Sequence, residues 1–312
     1  MRLHILHIII ILSFLLVRPV ILTGQQDPLL SQYMFNTLAF NPAYAGTSGM
    51  LHAMITSRHQ WLGFEDAPTT QTLTVHTPVS TKDFGIGLTY IHDKIGPVRT
   101  SSAWFDYSYH LRLNEEINLS LGLKGGFNHY KTDFSEFLAD ASPEEMNYLD
   151  APEVTILPNF GLGAYLWTER LYLGLSAPRL LEGKLDDNTD PGAYISKERR
   201  IYILMAGYVY NINEELSLKP SFIARFTESI PASFDINAML FFKSRFAVGA
   251  FYRPSGYIGG MAQIKLNNQL SIAYAYDISL NKLASEFGSS HELMIGYELN
   301  FRKDKVLNPR YF

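Results

Sequence analysis

Residues 105–124 read FDYSYHLRLNEEINLSLGLK, two runs in which apolar and polar residues alternate on either side of a charged break. In the first run Phe105, Tyr107, Tyr109, Leu111 and Leu113 take turns with Asp106, Ser108, His110 and Arg112; in the second, Ile117, Leu119, Leu121 and Leu123 take turns with Asn118, Ser120, Gly122 and Lys124. A period of two belongs to an extended strand, whose successive side chains point to opposite faces. The stretch therefore predicts two antiparallel strands joined at Asn114-Glu115, with one face greasy and the other small or polar.

The same alternation runs outward in both directions, ending with Leu293, Ile295, Tyr297, Leu299 and Phe301 set against Glu292, Gly296, Glu298 and Asn300. It predicts strands over 50–61, 69–78, 83–93, 100–113, 116–131, 155–168, 170–177, 199–212, 215–227, 231–242, 244–253, 256–267, 269–278 and 290–303, which makes fourteen. Most reach about ten residues, the length a tilted strand needs to cross a bilayer and about twice that of a soluble-domain strand. In hydrocarbon every unpaired backbone group costs several kcal/mol, so a spanning sheet has to close on itself. The expected fold is all-β: a transmembrane antiparallel barrel of about 14 strands in the outer membrane.

The connections test this independently, because such barrels carry short turns at the periplasmic end and longer loops outside. Asn114-Glu115, Glu169, Asn213-Glu214, Lys243 and Asn267-Asn268 are tight polar turns of one parity, and the long stretches 132–154, 178–198 and 279–289 all share the other. Both termini are expected on the periplasmic side. Inward glycines such as Gly85, Gly122 and Gly163 would relieve crowding in the lumen. Tyr90, Trp104, Trp167, Tyr172, Tyr208 and Tyr252 are expected in interfacial girdles.

Composition agrees with a membrane sheet. Charged residues are 18% and aromatics 13%, and cysteine is absent. That charge content is well below the usual level of about a quarter. A net charge of −4 with no Lys/Arg cluster argues against a nucleic-acid partner. Arg2 precedes an apolar run, Ile5 to Val17, that is too short to span a bilayer and reads as a secretory signal. The expected division is residues 1–24 as signal peptide, 25–49 as a periplasmic N-terminal segment or plug, 50–303 as the barrel and 304–312 as a tail.

Four blocks carry a family resemblance: SQYMFNTLAFNPAYAG at 31–46, SRHQWLGFEDAPTTQTLTVHTPV at 57–79, FGIGLTYIHDKIGP at 84–97 and the terminal NPRYF at 308–312. Together they resemble the PorP/SprF family of Bacteroidetes outer-membrane proteins, with Glu65-Asp66 standing where the family pattern has glycine. The resemblance implies a barrel in the type IX secretion system and gliding apparatus. It further implies that the barrel works with other secretion components and helps export or retain a large, adhesin-like cell-surface protein.

Several residues are candidates for contact with such a partner, each beside a plainer role. Arg58, Gln60 and Trp61 close the first strand as a docking rim, or as a lock in which Arg58 pairs an inward carboxylate. Asn36, Asn41, Pro42 and Tyr44 belong to a segment that either meets partners, plugs the lumen or supplies turn chemistry. Asp106, Arg112, Arg225 and Arg245, with Lys124, Asp235, Lys265 and Glu298, are expected to point inward and either line a conduit or pair with one another. The histidines show no metal-type spacing, and Asp186, Asn188 and Asp190 open like a calcium loop but have Pro191 where that loop needs glycine. No cofactor is expected. A C-terminal recognition aromatic would be Phe301 or Phe312. Three functions follow: a non-enzymatic partner barrel, a passive transporter of small or hydrophobic solutes, and a hydrolase using Ser108 with His110.

Overall fold

The computed structural model describes residues 30–79, 83–133, 153–183, 198–228, 230–281 and 288–300. The signal segment, the Asp186–Asp190 stretch, Phe301, Phe312 and the tail fall outside them. The elements are β1 (Leu51–His59), β2 (Thr69–Pro78), β3 (Phe84–Ile95), β4 (Val98–Arg112), β5 (Asn118–Thr132), β6 (Glu153–Trp167), β7 (Leu171–Arg179), β8 (Ile201–Tyr208), β9 (Tyr210–Asn211), β10 (Leu216–Thr227), β11 (Ile230–Phe242), β12 (Phe246–Arg253), β13 (Tyr257–Lys265), β14 (Leu270–Ser279) and β15 (Ser290–Leu299). β8 and β9 are one pass interrupted at Val209, and both pair with β10. Each pass pairs antiparallel with the next, and β15 pairs with β1 from Leu51↔Leu299 to His59↔His291. The result is a closed barrel of fourteen passes, each paired on both sides.

The hairpin β4–β5 shows why the alternation predicts the sheet. Asp106 sits opposite Lys124, Ser108 opposite Gly122 and Tyr107 opposite Leu123, so like faces like across the ladder. Phe105, Tyr107, Leu121 and Leu123 are exposed on the outer face, while Asp106, Ser108 and Ser120 are buried within. The same holds around the circumference: Ile55, Leu88, Ile156, Leu175, Ile236 and Val248 are all about half exposed, forming an apolar band that only lipid would cover. The interior is also crowded, with a mixed core of Tyr165, Tyr172, Ile203, Met205, Ile223 and Met239.

Connections at one end are short: 79–83, 113–117, 168–170, 212–215, 243–245 and 266–269. Local side chains set several of them. The Asn114 carboxamide oxygen accepts from the N–H groups of Glu116 and Ile117 at 2.9 and 2.7 Å. Asn213, Asn267 and Thr168 cap their turns in the same way. The strand ends joined by the longer connections, 60–68, 133–152, 180–200 and 280–289, are all at the other end, alongside tight hairpins at 96–97, 228–229 and 254–256.

The girdle expectation needs correction. Tyr90, Tyr208 and Tyr252 are exposed on the outer face, but Trp104 and Tyr172 are buried inward and Trp167 packs on the inner core. Trp104 and Tyr172 occupy inward positions of their strands, and parity decides the side a ring faces before ring chemistry can.

Candidate functional site

Residues 30–50 run inside the barrel from the long-loop end to the short-turn end, and most of their side chains are buried. The segment is built from tight local turns, Thr37–Ala39 and Pro42–Tyr44, which satisfy part of its own backbone. Asn41 explains the second turn: its side chain accepts from the Ala43 N–H at 3.0 Å, and Pro42 at the first position has no N–H to leave unpaired. The remaining backbone groups look to the walls.

At the long-loop end the attachment is ionic. The Glu292 carboxylate accepts the N–H groups of Ser31 and Gln32 at 2.7 and 2.9 Å. Arg58, 2% exposed, donates to Glu292 at 3.2 Å, to Asp277 at 2.9 Å, to the Ser31 hydroxyl at 2.9 Å and to the Gln60 side chain at 3.1 Å. One guanidinium thus joins β1, β14 and β15 to the segment. Among the described residues two carboxylates meet this one cation, and the two segment N–H groups and the Ser31 hydroxyl supply the further donors that burial of such charge requires.

In the middle, Asn36 accepts from the Thr74 hydroxyl at 2.9 Å, Tyr33 accepts from the Asn237 amide at 2.6 Å and the Phe40 carbonyl accepts from Ser176 at 2.8 Å. At the short-turn end shape takes over. Asn41 donates to the Ala164 carbonyl at 3.0 Å, and Pro42 and Ala43 lie directly on the strand backbones. A Cβ on Gly122 would sit 2.2 Å from the Ala43 nitrogen, and one on Gly163 2.1 Å from the Asn41 side-chain oxygen, so only glycine admits this approach. Tyr44 packs edge-on against His76 and Tyr165, each with ring centroids 5.3 Å away.

Ser108 and His110 lie 3.0 Å apart, as a hydrolytic pair would need, but both contact the Ala45 carbonyl, at 2.6 and 2.9 Å, and the Ser108 hydroxyl donates to it. Ser108 is 0% exposed and lies beneath the segment. No three His, Asp or Glu side chains among the described residues are grouped to hold a metal ion.

Further ion clusters among the described residues line the lumen, two of them built on the candidate residues. Arg253 grips Asp235 through Nε and Nη2 at 2.6 and 3.0 Å, and Arg225 reaches the same carboxylate through Nη1 at 3.0 Å. Lys124 stands 3.7 Å from Asp106, which also accepts from Thr89 at 3.2 Å. Asp106, Lys124, Arg225 and Asp235 are therefore inward as expected. Arg112 and Arg245 are not: both are exposed at the short-turn end, where the barrel wall has ended, and Arg245 lies over the Phe246 ring. Lys265 and Glu298 are only partly covered at that same end, 3.9 Å apart. Trp61, the second residue of the β1–β2 connection, has φ of 50°.

Alternation assigns Arg58 an inward carboxylate without naming it. Parity places Glu292 and Asp277 inward, but it does not say that either meets Arg58, whereas Arg253 meets Asp235 across the neighbouring strand pair β11–β12.

A family model described as type IX secretion system membrane protein PorP/SprF matches residues 22–297. None of the curated proteins matches the sequence. Among solved structures, the chain is similar to the Acinetobacter baumannii outer membrane protein Omp33 at 11% identity, covering 81% of this chain and 98% of that one with a TM-score of 0.43. It is also similar to the CymD monoaromatic hydrocarbon channel, at 12% identity, 90% and 95% coverage and a TM-score of 0.47. A Pseudomonas aeruginosa FadL homologue matches at 13% identity, 89% and 96% coverage and a TM-score of 0.44.

Proposed function

This chain belongs to the PorP/SprF family of type IX secretion system membrane proteins, and from that premise we propose that it is a non-enzymatic outer-membrane anchor for a large, adhesin-like surface protein. In this reading the short-turn end faces the periplasm and the longer loops face outward. The observation that carries it is the occupied lumen. A segment clamped by Arg58 at one end and seated on Gly122 at the other takes up the space a passive solute would need. What the barrel offers instead is a rigid wall, a fixed internal segment and loops gathered at one end, which suits holding a polypeptide better than passing solutes.

The test is purification of the tagged barrel from native outer membranes in mild detergent, with mass spectrometry of what accompanies it. A large surface protein in stoichiometric amount is the expected outcome, and a barrel that always emerges alone overturns the reading. Planar-bilayer recording addresses the transporter alternative: a sizeable steady conductance from the isolated protein would favour it, and a sealed barrel would favour the anchor.

A further inference from the structure

The outward side chains of β3, β4 and β5 change character in steps toward the long-loop end. From Leu111 to Ala103 the outer face of β4 carries Tyr109, Tyr107 and Phe105, and Ala103 shares a cross-strand row with Tyr90 and Phe127. That apolar stretch is about 21 Å tall for a strand tilted by about 40°, close to the roughly 25 Å band of an outer-membrane barrel. The next outward row is His92, Ser101 and His129, with His92 Nδ1 and the Ser101 hydroxyl 2.9 Å apart. The row beyond it is Lys94, Arg99 and Lys131, three cations on adjacent strands. Neighbours in such a row stand about 5 Å apart.

This ending is local to one side of the barrel. β3, β4 and β5 run for 12, 15 and 15 residues. On the opposite wall β12, β13 and β14 run for only 8, 9 and 10, and their last outward residues at the long-loop end are Tyr252, Ile258 and Ile278, all exposed and none charged. The cations therefore stand where the wall rises past the apolar band, about 10 Å beyond its last row, at headgroup depth. Lys94 meets Asp66 at 2.9 Å and Lys131 meets Asp133 at 3.4 Å, both pairs about a third exposed. Pairs so exposed contribute little, so either lysine can turn to another anion. Arg99, between them, is exposed and has no acid of its own among the described residues.

We propose that this row is a docking site for the phosphate of a phosphorylated glycolipid in the outer leaflet. The order of the wall is the order of such a lipid: acyl chains against Phe105, Tyr90 and Phe127, sugar hydroxyls beside His92, Ser101 and His129, and phosphate on Arg99 with a lysine at either side. The planar fork of an arginine suits phosphate, and long basic side chains reach back toward the headgroups. A soluble anion would find the same cations but leave the apolar rows beneath them unused. The acids of the 134–152 connection are the rival occupant. The inference rests on the long-loop end facing outward and not on the anchoring role.

The full-length barrel in mild neutral detergent is titrated with lipid A bearing both phosphates, with its dephosphorylated form and with phosphatidylglycerol, and the bound fraction is read by native mass spectrometry. Lipid A is expected to bind one to one, at least tenfold more tightly than the other two. Arg99→Gln should weaken it about fivefold, the worth of one basic residue at an anionic lipid surface, and leave the dephosphorylated form unchanged. Asp66→Asn releases Lys94 and should strengthen lipid A by a similar factor, so the inference is tested in both directions at exposed positions. Equal binding of the phosphorylated and dephosphorylated forms, or of phosphatidylglycerol, would overturn it. So would lipid A binding that ignores Arg99→Gln, which would assign the row to the acids of the 134–152 connection. Ser255→Cys, in the hairpin at the same end of a chain without cysteine, reads orientation separately through a membrane-impermeant maleimide on intact cells. A protected cysteine would overturn the orientation and the inference together, whereas a labelled cysteine with phosphate-independent binding would overturn the inference alone.

Discussion

The two ends of the lumen segment are held by opposite means. At the long-loop end, Ser31 and Gln32 are tied by charge and directional hydrogen bonds to side chains from three strands. At the short-turn end, Asn41 to Gly46 rest on glycine backbones and aromatic edges, where fit matters and charge does not. An ionic clamp fails as a unit when one partner is lost, because the others stay buried and uncompensated. A shape-fitted seat tolerates polarity changes but not volume. The segment is thus fixed by two attachments that respond to different perturbations.

The largest effect is expected from the clamp. Arg58→Met leaves Glu292 and Asp277 buried without their cation, a loss of about 3–5 kcal/mol. It should lower the temperature at which the folded barrel changes its electrophoretic migration, and it should expose residues 30–35 to protease. Unchanged protection would mean that the seat alone holds the segment. Gly122→Val attacks the seat: the added carbons collide with the Ala43 and Pro42 backbones, which have no flexible end to give way, for about 1–3 kcal/mol. Here the segment should lift at its short-turn end, read as protease cleavage near Ala43 and as new conductance. If Gly122→Val matched Arg58→Met at both ends, the two attachments would be one cooperative unit. A smaller loss, about 1 kcal/mol, is expected from Asn41→Ala, which removes the cap of the Pro42–Tyr44 turn and a tie to Ala164.

The same contrast explains what is readable in the sequence. Strand positions follow from alternation at Phe105–Lys124 and its equivalents, because one face meets lipid and a register slip of one residue would turn every ring inward. Asp106 and Lys124 fall on one face for that reason. The clamp is half legible: Arg58 stands out in a polar run near the start of the barrel, but its partners come from the last two strands, and alternation carries no information about which inward residues meet. The seat is hardly legible, since the small residues at Gly122 and Gly163 announce space without saying what fills it. Trp104 and Tyr172 mislead because their chemistry suits an interface while their parity points them inward.

Arg112 and Arg245 carry the smallest expected effect and the sharpest discrimination. Alternation assigns both to the inward face, and parity extrapolated to the strand ends would make each a member of the lumen charge network. Parity fixes direction, however, and not cover: β4 ends at Arg112 and β12 begins just after Arg245, so both side chains emerge where the wall stops and water begins. A surface arginine whose neighbours are solvated contributes little, so Arg112→Ala and Arg245→Ala should each change stability by no more than about 0.5 kcal/mol and leave segment protection intact. A loss on the scale of Arg58→Met at either position would mean that the ionic network extends to the short-turn end, and the division between clamp and seat would have to be redrawn.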